Sequence, residues 1–202
     1  MKLIDLTVKD FIEEVSSNSP APGGGSVAAL ASSLGIALSN MVGKLSITKK
    51  KFKALDIEVQ NQFISTINEL ELSRKELTNF IDKDTEAFNL IMDAFKYPKE
   101  TIEEKEFRSM KIQEATLIAT LVPLEVTEFC LESLKKIETI LPYANRNTTS
   151  DLGVSILMIH AGFEGAIMNV LINIGGLKDE IKRNEINEKC KQSLTECRIL
   201  KD

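Results

Sequence analysis

The sequence predicts an all-α fold, a single-domain bundle of about five to six helices that includes long antiparallel members. Three observations carry this. Apolar residues recur at three- and four-residue steps over tens of residues, proline and grouped glycines punctuate that pattern at a few junctions, and no strand signal competes with it.

The elements follow in chain order. Thr7 with Asp10 resembles a capping box, and Val8, Phe11, Ile12 and Val15 keep helical spacing, so a first short helix runs to about Ser17. SNSPAPGGG then predicts a loop, because three consecutive glycines and two prolines suit neither helix nor sheet. The uncharged stretch from Ser26 to Gly43 reads as a buried central helix. It is short for a membrane span, carries small residues at Ala31, Gly35, Ser39 and Gly43, and is apolar nearly all round through Val27, Leu30, Leu34, Leu38, Met41 and Val42. From Phe52 to Phe95 neither Gly nor Pro occurs, and positions 52, 55, 59, 63, 67, 70, 77, 81, 88, 91 and 95 are apolar, which predicts one very long helix or two end to end. Pro98 ends it. Thr101 with Glu104 offers a capping box for the next helix, Pro123 reads as a kink within it, and Pro142 closes it. Thr149 or Ser150 is expected to cap a helix from Asp151 to about Ile174, stopped by Gly175 and Gly176. Ile181, Ile186, Cys190, Leu194 and Cys197 mark a last, more polar helix.

Composition narrows the function classes. The 202 residues fit one domain, 1–202, with 43% hydrophobic and 27% charged residues, an ordinary globular mixture. A net charge of -5 argues against a phosphate-tracking nucleic-acid surface, and Lys49, Lys50 and Lys51 form the only basic run. Three cysteines without a CxxC pair, and an N-terminus without a secretory pattern, point to a reducing, cytoplasmic setting with no membrane partner.

Two features break the patterns that surround them. Continuing the apolar register of the long helix from 77 and 81 to 88 lands on Asp84, with Asp82 and Glu86 off the stripe. An inward carboxylate must meet a cation, several donors or a water-filled cleft. It serves either as a helix cap or ion-pair member, with Arg74 one possible partner, or as a reactive group. The PGGGS run, Pro22 to Ser26, leaves backbone N–H groups at a helix start, where an anion or carbonyl oxygen would fit, or it is simply a flexible loop. No Walker lysine accompanies it. Asn169 and Asn173 stack two amides on one face, able to read a heterocycle or to bridge packed helices. His160 and Glu164 share a face without a third ligand and are expected to form a plain pair rather than a metal site. Ser26 has no His and Asp partners for a hydrolase triad.

PAPGGGSVAAL, Pro20 to Leu30, closely resembles the cyclodeaminase domain of the formiminotransferase-cyclodeaminase family. DKDTEAF, PKETIEEKEFR, VPLEV around Pro123, NRNTTSDL and GAIMNVLIN then match in the same order across nearly the whole chain. The resemblance implies an all-α homodimer with a folate groove near the protomer interface. It implies that the chain is a formiminotetrahydrofolate cyclodeaminase converting 5-formiminotetrahydrofolate to 5,10-methenyltetrahydrofolate and ammonia, with methenyltetrahydrofolate cyclohydrolase as the alternative. A non-catalytic helical interaction module is the remote third reading. No cofactor beyond the tetrahydrofolate carrier and no metal is expected. The family's catalytic aspartate carries over to Asp84 and its ligand loop to Gly23, Gly24, Gly25 and Ser26, with Asn147, Asp151 and Asn169 as further ligand-proximal positions. Ala144 departs from the glycine usual before Asn145. Lys49 to Lys51 are the expected attractors of the folate tail's carboxylates. A separate chain is expected to supply any formimino transfer.

Overall fold

The computed structural model describes residues 2–201, and among them seven α-helices and no strand. They are α1 (Val8–Val15), α2 (Gly24–Ile47), α3 (Lys50–Lys53), α4 (Ile57–Ala94), α5 (Ile102–Ile140), α6 (Thr149–Ile174) and α7 (Glu180–Lys201). The helix beyond the expected six is the single turn α3, which separates Phe52 from the long helix. Short 3-10 turns precede α1 and link α5 to α6.

Helices α2, α4, α5 and α6 form an up-down bundle around one apolar core. Contacts fix the directions. Ser26 meets Asp84, Ser33 meets Thr78 and Asn40 meets Glu71, so α2 and α4 run antiparallel. Asn173 donates to the Ala119 carbonyl at 2.7 Å and Lys136 pairs with Glu69, which sets α5 against α6 and α4 in the same sense. The bare backbone at Gly35 lets α2 approach α6 so closely that a Cβ there would fall 2.6 Å from Ile159 Cγ1. Because α4 and α5 exceed α2 and α6 in length, their linked ends project as an arm beyond the bundle.

The punctuation works largely as the sequence predicts. Thr101 and Glu104 complete a reciprocal capping box, and α5 continues through Pro123 as one 39-residue helix. At α1 Thr7 accepts from the Asp10 N–H. Three expectations are corrected. Thr149 and Ser150 lie inside the first turn of α6, whose N-cap, Thr148, makes no side-chain cap bond, because the chain enters from a 3-10 turn at Arg146–Thr148. Ile181 is 74% exposed, since the packing face of α7 starts only at Ile186. The α2 helix is central but not covered all round: Val27, Leu34, Met41 and Leu45 are exposed, as are Val154, Leu157 and Met168 of α6. Exposed Val8 and Ile12 line an adjoining apolar groove of about 430 Å³ that reaches Leu34. Both α2 and α6 are long and apolar enough to pass for membrane spans, and each packs its other faces into the bundle.

Candidate active site

Gly24 and Gly25 are the first residues of α2, not a loop, with Gly23 as the N-cap. A glycine N-cap offers no side chain, so the helix's first N–H groups need an outside acceptor. Asp84, from the middle of α4, supplies it: Oδ2 accepts from the Ser26 N–H at 2.9 Å and from Ser26 Oγ at 3.3 Å. Ser26 is fully buried, and its hydroxyl also donates to the Ile81 carbonyl at 2.7 Å and lies 3.2 Å from Thr85 Oγ1. One serine thus bolts α2 to the turn of α4 that carries the carboxylate.

The glycine run has a steric reason. A Cβ on Gly25 would sit 2.0 Å from Asp84 Oδ1, so the carboxylate occupies the space an alanine would need. Oδ1 takes no protein hydrogen bond among the described residues. Burial pushes the Asp84 carboxyl above its ordinary range, and the two hydrogen bonds from Ser26 act against that. Burial wins because one neutral donor group at a helix N-terminus, worth about 0.3–2 kcal/mol, does not replace a full hydration shell. Asp84 is therefore both a tertiary helix cap and a carboxylate of raised proton affinity with one free oxygen.

Asn169 joins this site from α6. Its Nδ2 donates to the Gly165 carbonyl at 2.8 Å and lies 3.2 Å from where a Cβ on Gly24 would be. Asn173, one turn on, bridges α6 to α5 instead. The structure thus gathers Gly23, Gly24, Gly25, Ser26, Asp84 and Asn169 at one end of the bundle. It does not bring Asn147 and Asp151 to them: these sit at the opposite end of α6, about 27 Å of helix from Asn169. Asn147 stands in an exposed 3-10 turn, where its N–H is held by Asn145 Oδ1. Lys49 to Lys51 likewise follow the far end of α2, about 35 Å of helix from Gly25.

Other pairings differ from expectation. Arg74 binds Glu71, at 2.7 Å, and not Asp84. Asp82 is buried, because an inward side chain on this helix can turn toward the N-terminal segment as well as toward α2; its Oδ1 accepts from the Leu3 N–H at 2.6 Å. His160 and Glu164 are 3.9 Å apart, and the described residues hold no cluster of metal ligands. Missed altogether by sequence reasoning is a second basic cluster, Lys99, Lys105, Arg108 and Lys178, around a pocket of about 320 Å³ near the tip of the arm. No local signal links these four, which come together only when α6 ends against α5.

Comparison with known proteins gives a consistent pattern. Residues 7–192 match the family model described as formiminotransferase-cyclodeaminase. A methenyltetrahydrofolate cyclohydrolase of Methylorubrum extorquens is 40% identical over 86% of this chain and 81% of that protein. The formimidoyltransferase-cyclodeaminases of mouse and chicken are 32% and 36% identical over 97% of this chain, which spans only 36% of their length. A crystal structure of formiminotetrahydrofolate cyclodeaminase from Thermotoga maritima superposes with a TM-score of 0.84 at 26% identity, covering 97% of this chain and 92% of that one.

Proposed function

Since this chain belongs to the formiminotransferase-cyclodeaminase family, a group of folate one-carbon enzymes, we propose that it acts at the carbon between N5 and N10 of tetrahydrofolate, as a formiminotetrahydrofolate cyclodeaminase with Asp84 as its proton-handling group. The observation that carries the reading is the free Oδ1 of a carboxylate with raised proton affinity, set over the Cβ-less backbone of Gly25.

The chemistry then follows. N10 of the protonated 5-formimino substrate attacks the formimino carbon, a tetrahedral centre forms, and the N10 proton must leave while the amine gains one. Asp84 accepts the first proton and returns it to the departing nitrogen, so ammonia leaves and the cationic methenyl bridge remains. The same negative charge stabilises the developing amidinium. Ser26 holds Oδ2 and so aims Oδ1. The N–H groups at the start of α2 and the Asn169 amide stand where they can orient the pterin.

The second reading is methenyltetrahydrofolate cyclohydrolysis, supported by the 40% identical relative of similar length. There Asp84 takes a proton from the water that adds to the methenyl carbon, and 10-formyltetrahydrofolate results. Both readings use one carbon, one pocket and one carboxylate. Following the methenyl chromophore with each folate separates them: its appearance from 5-formiminotetrahydrofolate supports deamination, and its accelerated loss supports hydrolysis. Inertness toward both defeats the proposal.

We also infer a homodimer acting in the cytoplasm. The exposed apolar residues of α2 and α6, two helices that pack on each other, supply apolar surface that a second copy would cover. In the proposed dimer a two-fold axis lying in that face and perpendicular to the helices would set the helices of the two copies antiparallel, and would turn the Asn147 and Asp151 end of one copy toward the Asp84 end of the other.

A further inference from the structure

We propose that Thr85 is a positioning residue for Asp84: its hydroxyl donates to Ser26 Oγ and thereby commits the single Ser26 proton to the Ile81 carbonyl and the Asp84 carboxylate, an inference that rests on the reading of Asp84 as the proton-handling group.

Counting protons fixes the direction of the contact. The fully buried Ser26 hydroxyl has three oxygens within reach, the Ile81 carbonyl at 2.7 Å, Thr85 Oγ1 at 3.2 Å and Asp84 Oδ2 at 3.3 Å, and it has one proton to give. The carbonyl and the ionised carboxylate can only accept. Thr85 alone of the three carries a proton of its own when Asp84 is ionised, and among the described residues its hydroxyl meets no other hydrogen-bonding group. Donation from Thr85 to Ser26 lets the Ser26 proton serve the carbonyl and the carboxylate in turn. The reverse direction would set the Ser26 lone pairs against both of them.

The effect reaches the carboxylate through Ser26. A hydroxyl that accepts one hydrogen bond donates the next more strongly, by roughly 10–30% per bond, so Thr85 tightens the hold of Ser26 on ionised Oδ2. It also fills a lone pair on Ser26 Oγ that a protonated Asp84 would otherwise use as its acceptor. Both effects favour the ionised carboxylate and oppose the burial that raises its proton affinity. No charged neighbour shares that task. The turn of α2 that meets Asp84, Gly24 to Val27, carries no charge, and neither does Asn169 of α6. On α4 itself Asp82 is turned to the Leu3 N–H, Lys83 lies over the Phe80 ring and Glu86 is exposed. Burial and the two Ser26 bonds, with no ionised side chain from α5 or any other element, set the proton affinity of Asp84. A residue that acts on Ser26 therefore acts on the reaction.

The test is a 13C NMR titration of the Asp84 carboxyl, identified by the signal lost in Asp84→Asn, in the wild-type, Thr85→Val, Thr85→Ala and Thr85→Ser proteins, each shown folded by its melting curve. Loss of the hydroxyl in Thr85→Val and Thr85→Ala is expected to raise the midpoint by about 0.3–0.6 pH unit, a gain of about twofold to fourfold in proton affinity. Thr85→Ser is expected to return it to the wild-type value. The acid limb of kcat/KM should move up by the same amount, while KM and the plateau kcat stay within about twofold of wild type. An unchanged midpoint in Thr85→Val and Thr85→Ala, or an equal shift in Thr85→Ser, overturns the positioning role and leaves the folate chemistry at Asp84 standing. A midpoint that moves as expected in a protein inert toward both folates keeps the contact from Thr85 through Ser26 to Asp84 and removes the folate reading.

Discussion

At the scale of single residues, the site depends on a carboxylate held where ionisation is costly. Its folded-state proton affinity is raised, so Asp84 contributes stability that is complete below its unfolded pKa and is lost as pH climbs through the folded one. Asp84→Asn is therefore expected to melt above the wild-type protein at neutral pH, with the gap closing in acid, while turnover falls by about a hundred- to ten-thousand-fold. The acid limb of the wild-type kcat/KM profile is expected above the ordinary carboxylate range, and to vanish in any residual activity of the variant. Gly25→Ala tests the steric half of the argument. Its methyl group would require Asp84 to swing away from the N-terminus of α2, and activity should drop as far as in Asp84→Asn while the bundle still folds. Wild-type turnover in Gly25→Ala would break the link between glycine and carboxylate. The inward register of Asp84 was legible in the sequence because the apolar stripe on either side fixes the face it occupies. Its partner was not: Arg74 breaks the same stripe, yet Glu71 lies three residues away on the same helix and captures it.

At the scale of helices, the second half of the arm formed by α4 and α5 begins at a reciprocal cap. Thr101 accepts the Glu104 N–H, and Glu104 accepts that of Thr101. Thr101→Ala should cost about 1 kcal/mol and lower Tm by about 2–4 °C. Hydrogen exchange should quicken at the first amides of α5 and remain slow in the rest of the bundle, whereas uniform loss of protection would mean that the cap supports the whole fold. Helix boundaries were mostly readable because caps and prolines are local signals. The start of α2 was not, since its acceptor, Asp84, stands 58 residues away in the chain. The absence of a side-chain cap on α6 also escaped, because a 3-10 turn preceding a helix leaves little trace in composition.

At the scale of the whole molecule, the open apolar face of α2 and α6 is the largest departure from what periodicity predicts. A helix that is apolar nearly all round needs cover on every side, and a single chain covers only part of it. Leu34→Glu, placed in the middle of that face, is expected to yield a folded monomer by light scattering and to reduce activity, because Asn147 and Asp151 would lose their access to Asp84. A Leu34→Glu protein that stays dimeric would show that the copies meet elsewhere. The sequence by itself determined which segments are helical, their order, and the inward placement of Asp84, since those depend on residues within a turn or two of each other. Only the tertiary structure decided that Asp84 caps α2, that Asn147 and Asp151 lie far from Asn169, and that four scattered cations share one pocket. Those outcomes depend on how far each helix slides along its neighbours, which is set by the close approach of glycine backbone and the fit of side chains distant in the chain, and no local pattern encodes that register.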